Sequence, residues 1–201
     1  MAPMSMPQGV ASLGGYKNLA QTLLDHGADV NARGGDRYGS ALQAASFGGH
    51  ENLAQTLLDH GADVNAPGGQ YGSALQAASL GGYKNLAQSL LDHGADINAP
   101  GGGIYGNALQ AASLGGRENL VQTLLDHGAD VNAPGGDRYG SALQAASFGG
   151  HKNLVQTLLD HGADVNAPGG QYGSALQAAS KRGREKVMQI LLDNGAGTEP
   201  I

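Results

Sequence analysis

Apolar residues recur along this chain at two alternating spacings, which predict two helices in every repeat. In "SALQAASFGG", which begins at Ser40, a run of small and apolar residues follows a serine and ends at a glycine pair. Serine caps helices and glycine ends them, so a short helix is predicted over 41–47. A second helix is predicted from His50 to about His60, because its apolar residues fall on one stripe. These residues are Leu53, Ala54, Leu57 and Leu58.

The same pattern returns at a nearly constant interval. The aspartates of "LLDHG" and its variants are Asp25, Asp59, Asp92, Asp126, Asp160 and Asp193. The steps between them are 34, 33, 34, 34 and 33 residues. A period near ~33 predicts stacked modules that share one core through Leu42 and its equivalents. The predicted units are a truncated one at 1–33, then 34–67, 68–100, 101–134, 135–168 and a C-terminal cap at 169–201.

Between the helix pairs lie segments such as "ADVNAPGGDRYG" at 129–140, rich in glycine, asparagine, aspartate and proline. These residues favour turns that reverse the chain and project outward. Residues 36–79 are repeated at 137–180 with changes only at Glu51/Lys152 and Ala54/Val155. Such close copying indicates recent expansion or deliberate design.

The units resemble ankyrin repeats in their length, in their helix-turn-helix-turn order and in the "GADVNA" ending. "SALQ" at 40–43 stands where that family usually has Thr-Pro-Leu-His, and Gln43 is a plausible substitute for the family's histidine. The resemblance implies an all-α ankyrin-repeat solenoid of helix-turn-helix units with projecting β-turn or hairpin tips. The segment "YGSALQAAS" is similar to segments of ankyrin arrays from filamentous fungi, including the arrays on nucleotide-binding immune-type receptors.

Charge and composition restrict the classes of partner. Acidic residues outnumber basic ones 17 to 11, and the net charge of -6 disfavours binding to nucleic acid or to an anionic membrane. No apolar run approaches the ~18 residues that would span a bilayer. The chain has no cysteine, which fits a reducing compartment. We therefore expect a cytoplasmic monomer that binds neither nucleic acid nor membranes.

No catalytic or cofactor site is predicted. "GGGIYG" at 101–106 matches a dinucleotide-binding pattern, but it occupies the position of an ordinary tip. Five histidines follow the aspartates of "LLDHG", and equivalent residues in stacked helices lie ~10 Å apart, too far to share a zinc ion. We interpret them as residues at helix ends. They are His26, His60, His93, His127 and His161.

The positions that vary between repeats predict a surface that binds a protein. The ankyrin resemblance implies that the end of the first helix faces a concave groove, and the tips add tyrosines and arginines, which are enriched at interface hot spots. An alternative stays open, in which the phenylalanines cover the helix junction and each tyrosine packs on the next tip. The predicted contact residues are Arg37, Tyr38, Phe47, His50, Tyr71, Leu80, Tyr83, Ile104, Tyr105, Leu114, Arg117, Arg138, Tyr139, Phe148, His151 and Tyr172.

The predicted function is therefore a non-catalytic module that binds a partner protein through the groove and the tips. The fungal resemblance implies that it serves as the recognition arm of a larger receptor-like protein. Two alternatives stay open. The groove binds a small molecule or carries an enzymatic activity, or the chain is a designed or consensus scaffold without a natural ligand.

Overall fold

A computed structural model of the chain describes residues 17–100 and 105–197, and all structural statements below concern these two ranges. The helices alternate between short inner ones and longer outer ones. The inner helices are α2 (Ala41–Phe47), α4 (Ala74–Gly81), α6 (Ala108–Leu114), α8 (Ala142–Gly149) and α10 (Ala175–Lys181). The outer helices are α1 (Lys17–Asp25), α3 (Glu51–Asp59), α5 (Lys84–Asp92), α7 (Glu118–Asp126), α9 (Lys152–Asp160) and α11 (Glu185–Asp193).

Each inner helix begins at a side-chain cap, as the sequence predicts. The Ser40 hydroxyl accepts a hydrogen bond from the Gln43 backbone N–H at 3.2 Å, which satisfies an amide that the helix itself leaves unpaired. In α6, Asn107 replaces the serine and forms a reciprocal pair, because the Gln110 side chain also accepts from the Asn107 backbone N–H at 3.1 Å. The predicted helix over 41–47 is confirmed.

The outer helices start one residue later than predicted. His50 is the residue before α3 and makes no side-chain cap hydrogen bond. At the other end, the Ala62 N–H donates to the Leu57 carbonyl at 2.9 Å, and Gly61 adopts a φ of 81°. That left-handed conformation favours glycine, which explains why glycine follows every "LLDH".

The core runs without interruption through the stacked units. Leu42 is 1% exposed, and Leu53, Leu57 and their counterparts in later repeats are at most 2% exposed. Ala45 and its equivalents are fully buried beside them, and their small size lets inner helices approach closely. The all-helical repeat fold is therefore confirmed, with one inner and one outer helix inside each unit predicted from residue 34 onward. The unit boundaries themselves stay a prediction, and the irregular start near Pro7 lies outside the described residues.

Two side-chain ladders connect neighbouring units. Gln43 donates to the carbonyls of Ala66 and Gly72 at 2.7 and 3.1 Å, so glutamine performs the cross-turn bonding expected of the family's histidine. Asn31 donates to the Gly61 carbonyl at 3.1 Å, and its side-chain oxygen accepts from the Asp63 N–H at 2.8 Å. The same asparagine contacts recur at Asn65, Asn98, Asn132 and Asn166.

The tips are tight turns closed by single bridges rather than by strands. Gly68 pairs with Gly72, and Gly169 pairs with Gly173. Adjacent tips are also joined, because the Gln70 N–H donates to the Arg37 carbonyl at 3.0 Å. The expected hairpins are thus present in their shortest form, and no longer strand forms within 17–100 or 105–197.

Candidate functional site

Seven aromatic rings from the tips and from the ends of the inner helices form two groups of contacting rings, together called the aromatic face here. Phe47 stacks on Tyr71 with ring centroids 4.3 Å apart, and Tyr71 stacks on Tyr105 at 5.9 Å. Further along, Phe148 lies 4.9 Å from Tyr172. The remaining members are Tyr38 and Tyr139, which contact the rings beside them.

The local fold explains why these rings meet. Each tip tyrosine lies two residues before the cap of an inner helix, and the Ser40 N–H donates to the Tyr38 carbonyl at 3.0 Å. This turn directs the ring toward the inner helices. Phe47 is the last residue of α2, so its ring lies beside those of Tyr38 and Tyr71. Sequence positions about thirty residues apart therefore converge because the repeats stack in register.

Two of the predicted contact residues are buried. Tyr71 is 5% exposed and Tyr139 is 3% exposed, and burial raises the pKa of both phenols above the usual value. Little of these two rings is therefore accessible to a partner in the free protein, and their role as contact residues stays a prediction. Tyr38, Tyr105 and Tyr172 are half-buried and keep part of their surface accessible.

Arginines lie over the aromatic face. The Arg37 guanidinium carbon is 5.4 Å from the Tyr38 ring centre, and that of Arg138 is 5.7 Å from the Tyr139 ring centre. The nearby Arg37 guanidinium opposes the rise that burial causes in the pKa of the Tyr71 phenol. Both arginines are exposed, so their charges remain accessible to a partner.

The row at His50, Tyr83, Arg117 and His151 has a different environment. The rings and the guanidinium of this row lie across the glycine turns of the inner helices. A Cβ built on Gly49 would come within 2.5 Å of the Tyr83 ring. Arg117 donates through Nε to the Leu80 carbonyl at 3.3 Å, and His151 Nε2 donates to the Leu114 carbonyl at 3.0 Å. These side chains therefore close the joints between units, and only Arg117 is largely exposed.

Leu80 and Leu114 occupy the places that Phe47 and Phe148 hold in the outer units, and both are half-buried. In repeat order they fall between Phe47 and Phe148. Ile104 and the first residues of "GGGIYG" lie outside the described residues. The last positions of the inner helices are therefore aliphatic in the middle units, where the flanking units have phenylalanine.

The histidines after "LLD" cap the outer helices and connect neighbouring units. His60 Nδ1 donates to the Thr56 carbonyl at 2.8 Å, while Gln21 donates to His60 Nε2 at 3.0 Å and to Asp25 at 2.7 Å. The carboxylate of Asp25 is 3.9 Å from His60 Nε2. Sequence reasoning missed this link because its members belong to different repeats. Within 17–100 and 105–197, no cluster of three metal-ligating side chains forms.

Arg182 is a further residue that sequence reasoning assigned only to the terminal cap. Its guanidinium lies 4.6 Å from the centre of the Phe148 ring. A comparison of the two duplicated blocks could have singled out Arg182, because Gly81 occupies the equivalent position after the first block. The C-terminal cap thus adds a cation to the aromatic face.

Comparison with known proteins agrees with this geometry. A family model for ankyrin repeats, described as three copies, matches residues 6–68, 68–135 and 134–200. The chain belongs to the ankyrin-repeat family. Among solved structures, the human ASB11 ankyrin repeat domain is similar, with a TM-score of 0.79 and 26% sequence identity. The alignment covers 96% of this chain and 86% of that domain.

A search of curated protein sequences gave no significant match. Ankyrin repeats are generally modules for binding other proteins, and the aromatic face combines a tyrosine common to the tips with positions that vary between units, such as Phe47 and Leu80. In the described part of the chain, no helix is long and apolar enough to cross a membrane.

Proposed function

We propose that this ankyrin array is a non-catalytic module that binds a partner protein through the aromatic face. The observation that carries the proposal is the combination of half-buried rings with exposed arginines that lie over them. Tyrosine and arginine are enriched at interface hot spots, where a rigid ring loses little side-chain entropy on binding. Phe47 and Phe148 are the central apolar contacts of the proposed surface.

The proposal also agrees with how the contacts are distributed. The rings contact one another, so the free protein already holds them in place, and a partner would meet a preformed surface. Within the described residues, acids, bases and nucleophiles repeat in parallel rows and do not converge on one point. That arrangement supports an extended contact area rather than a catalytic centre. Monomeric state, cytoplasmic location and a role in a larger receptor-like protein stay predictions.

A random peptide library displayed on phage tests the proposal. Peptides selected on the natural protein are measured against the double variant Phe47→Glu with Phe148→Glu, which places carboxylates among the rings. We expect the double variant to lose at least about tenfold in affinity, because desolvating each carboxylate opposes binding. Circular dichroism checks that the helices persist.

A matched control uses a change that the chain already carries. Glu51→Lys reproduces the residue found at Lys152 in the second copy, on an exposed outer-helix position. It should leave binding of the selected peptides unchanged. Peptides that bind the folded double variant as tightly as the natural protein would place the interface elsewhere.

The small-molecule alternative has a separate test. A cleft of about 620 Å³ opens beside Arg33, Gln76 and Asp96, between two adjacent tips. A ligand for this cleft would raise the unfolding temperature by mass action. A thermal-shift screen that yields a ligand whose effect is lost in Arg33→Gln, but kept in the double glutamate variant, would favour that function.

A further inference from the structure

The duplicated block places the same arrangement of arginine and aromatic rings twice on the aromatic face. The first subsite consists of Arg37, Tyr38, Phe47 and Tyr71, and the second of Arg138, Tyr139, Phe148 and Tyr172. In each, an arginine lies over the first tyrosine, and the phenylalanine contacts the second tyrosine. The two subsites therefore offer the same kinds of side chain to a ligand, with Tyr38 as the more accessible tyrosine of the first and Tyr172 as that of the second.

The two subsites are three repeats apart. Stacked helices are spaced by about 10 Å, which sets a distance of about 30 Å between equivalent points. Tyr105, Leu80 and Leu114 occupy the interval, and Tyr71 stacks on Tyr105 with ring planes only 7° apart. The described residues in this interval include these aromatic and apolar side chains, so one extended chain that contacts both subsites would pass them.

Cations are concentrated on and beside the aromatic face. The guanidinium groups of Arg37, Arg138 and Arg182 lie over its rings, and Arg117 and Arg184 donate to the carbonyls of Leu80 and Phe148. The two carboxylates next to the tip arginines in sequence are Asp36 and Asp137, and the net charge of the whole chain is -6. A basic surface on an acidic protein favours an acidic partner segment.

Basic grooves with aromatic rings also bind single-stranded nucleic acid, which needs open ring faces for stacking. Here the rings stack on one another, and Tyr71 and Tyr139 are 5% and 3% exposed. Covered faces leave ring edges and arginines as the accessible groups. That arrangement favours carboxylates and apolar side chains over bases.

We infer that the two subsites bind two copies of one acidic motif with an apolar centre, both carried by a single partner chain. The inference rests on the proposed function and adds the chemistry and the number of the bound motifs. The arginine of each subsite pairs with motif carboxylates, and the phenylalanine contacts the apolar centre. An extended chain spans about 3.3–3.6 Å per residue, so the motif starts are about nine residues apart.

The subsites differ in one cation. Arg182 lies 4.6 Å from the Phe148 ring centre, where the first subsite has Gly81. The second subsite therefore offers an additional positive charge to the same motif. It binds the motif more tightly than the first subsite does, and Arg182→Gly makes the two affinities more nearly equal.

Calorimetry with synthetic peptides tests this inference. The probes are the hexapeptide Asp-Glu-Leu-Phe-Asp-Glu, a tandem of two such motifs joined directly, and a tandem with a Gly-Ser linker of about four residues. Only the linked tandem reaches about 30 Å between motif starts. We expect two sites for the single motif, and one-to-one binding at least about tenfold tighter for the linked tandem.

Variants locate the effect. Arg37→Gln or Arg138→Gln should reduce the affinity of the linked tandem to that of the single motif, whereas Lys84→Gln, at an exposed position of the outer helix α5, should not. Circular dichroism confirms that each variant is folded. Higher affinity for an oligothymidylate than for the linked tandem would overturn the inference in favour of nucleic acid.

Three other results would also overturn it. These are equal affinities of the single motif and the linked tandem, an equal gain from the directly joined tandem, and no saturable binding of any probe. The proposed function is judged independently, because peptides selected on phage can depend on Phe47 and Phe148 while the linked tandem gains nothing.

Discussion

Residues 36–79 and 137–180 are nearly identical in sequence, yet equivalent side chains in them have different surroundings. Tyr38 is half-buried, whereas its copy Tyr139 is 3% exposed. The ring neighbours of Tyr38, namely Phe47 and Tyr71, both follow it along the chain. Tyr139 contacts Phe148 and Tyr172 after it, and the electrostatic influence of Tyr105 also reaches it from the preceding unit. Burial in this array therefore depends on the units on both sides, and not on the local sequence alone.

The difference separates two kinds of contact. Core leucines and caps are the same in both blocks because every unit presents the same helices to its neighbours. The aromatic face differs because its contacts involve side chains, such as Arg182, that occur in only one place. Paired substitutions in the two blocks can therefore tell structural positions from positions available for binding.

The largest expected effect comes from the core, where the two blocks should respond alike. Leu57→Ala and Leu158→Ala each remove a side chain that is 0% exposed. Each should lower the free energy of unfolding by about 3 kcal/mol, from lost burial and a residual cavity. Urea unfolding followed by circular dichroism measures both. A cost at one position less than half that at the other would contradict the equivalence of the two cores.

Glutamine-to-alanine changes should produce the next largest effect, and an unequal one. Gln43 donates to the carbonyls of Ala66 and Gly72, and Gln144 makes the corresponding two bonds. Gln144 also accepts from the Gly140 N–H at 2.8 Å. The Gly72 carbonyl would keep its bond from the Gly68 N–H, but the Ala66 carbonyl would lose the Gln43 donor. Gln43→Ala should therefore cost about 2 kcal/mol, and Gln144→Ala more. Equal costs would show that the additional bond contributes nothing measurable.

Sequence reasoning predicted the parts of the fold that depend on local pattern. The inner helix over 41–47 and its serine cap followed from residue type and period, and the cross-turn role of Gln43 followed from the resemblance to the ankyrin family. The burial of Tyr71 and Tyr139 did not follow, because it depends on how closely adjacent tips approach. The alternative in which each tyrosine packs on the next tip describes these two residues, while the exposed arginines remain candidates for binding.

Contacts between units were the least predictable. The Asn31 ladder connects positions about thirty residues apart. The repeated "GADVNA" shows that the asparagine recurs in each unit, but it does not show which groups the asparagine contacts. The contact between Arg182 and the Phe148 ring could not be predicted from the sequence, because it depends on how the guanidinium and the ring are placed in space. A single sequence shows which positions vary, but the neighbouring unit determines which of those side chains stay accessible.

The two duplicated blocks differ at one buried position of the outer helices, where a smaller effect on stability is expected. Ala54 and Val155 are both 0% exposed at equivalent positions of α3 and α9. Val155→Ala should cost about 1.5 kcal/mol, since two methyl groups leave the core. Ala54→Val should cost about 1 kcal/mol, because the added methyl groups crowd a packed site. A clear gain in stability for Ala54→Val, measured by urea unfolding, would reveal unfilled space beside α3.

The smallest expected effect is on the stability at alkaline pH. Burial raises the pKa of Tyr139, and the nearby charge of Arg138 opposes part of that rise. The folded protein therefore retains this proton at a pH where the unfolded chain, with a tyrosine pKa of about 10, loses it. The resulting stability is fully present below about pH 10 and is lost as the pH rises through the folded pKa.

Tyr139→Phe removes this ionisation. Its unfolding temperature should therefore fall less than that of the natural protein between about pH 8 and pH 11, as followed by circular dichroism. Tyr38→Phe, at the half-buried copy, is the matched control. An equal reduction of the pH dependence in both variants would show that the deeper burial of Tyr139 has no energetic consequence, and the contrast between the two blocks would then concern geometry alone.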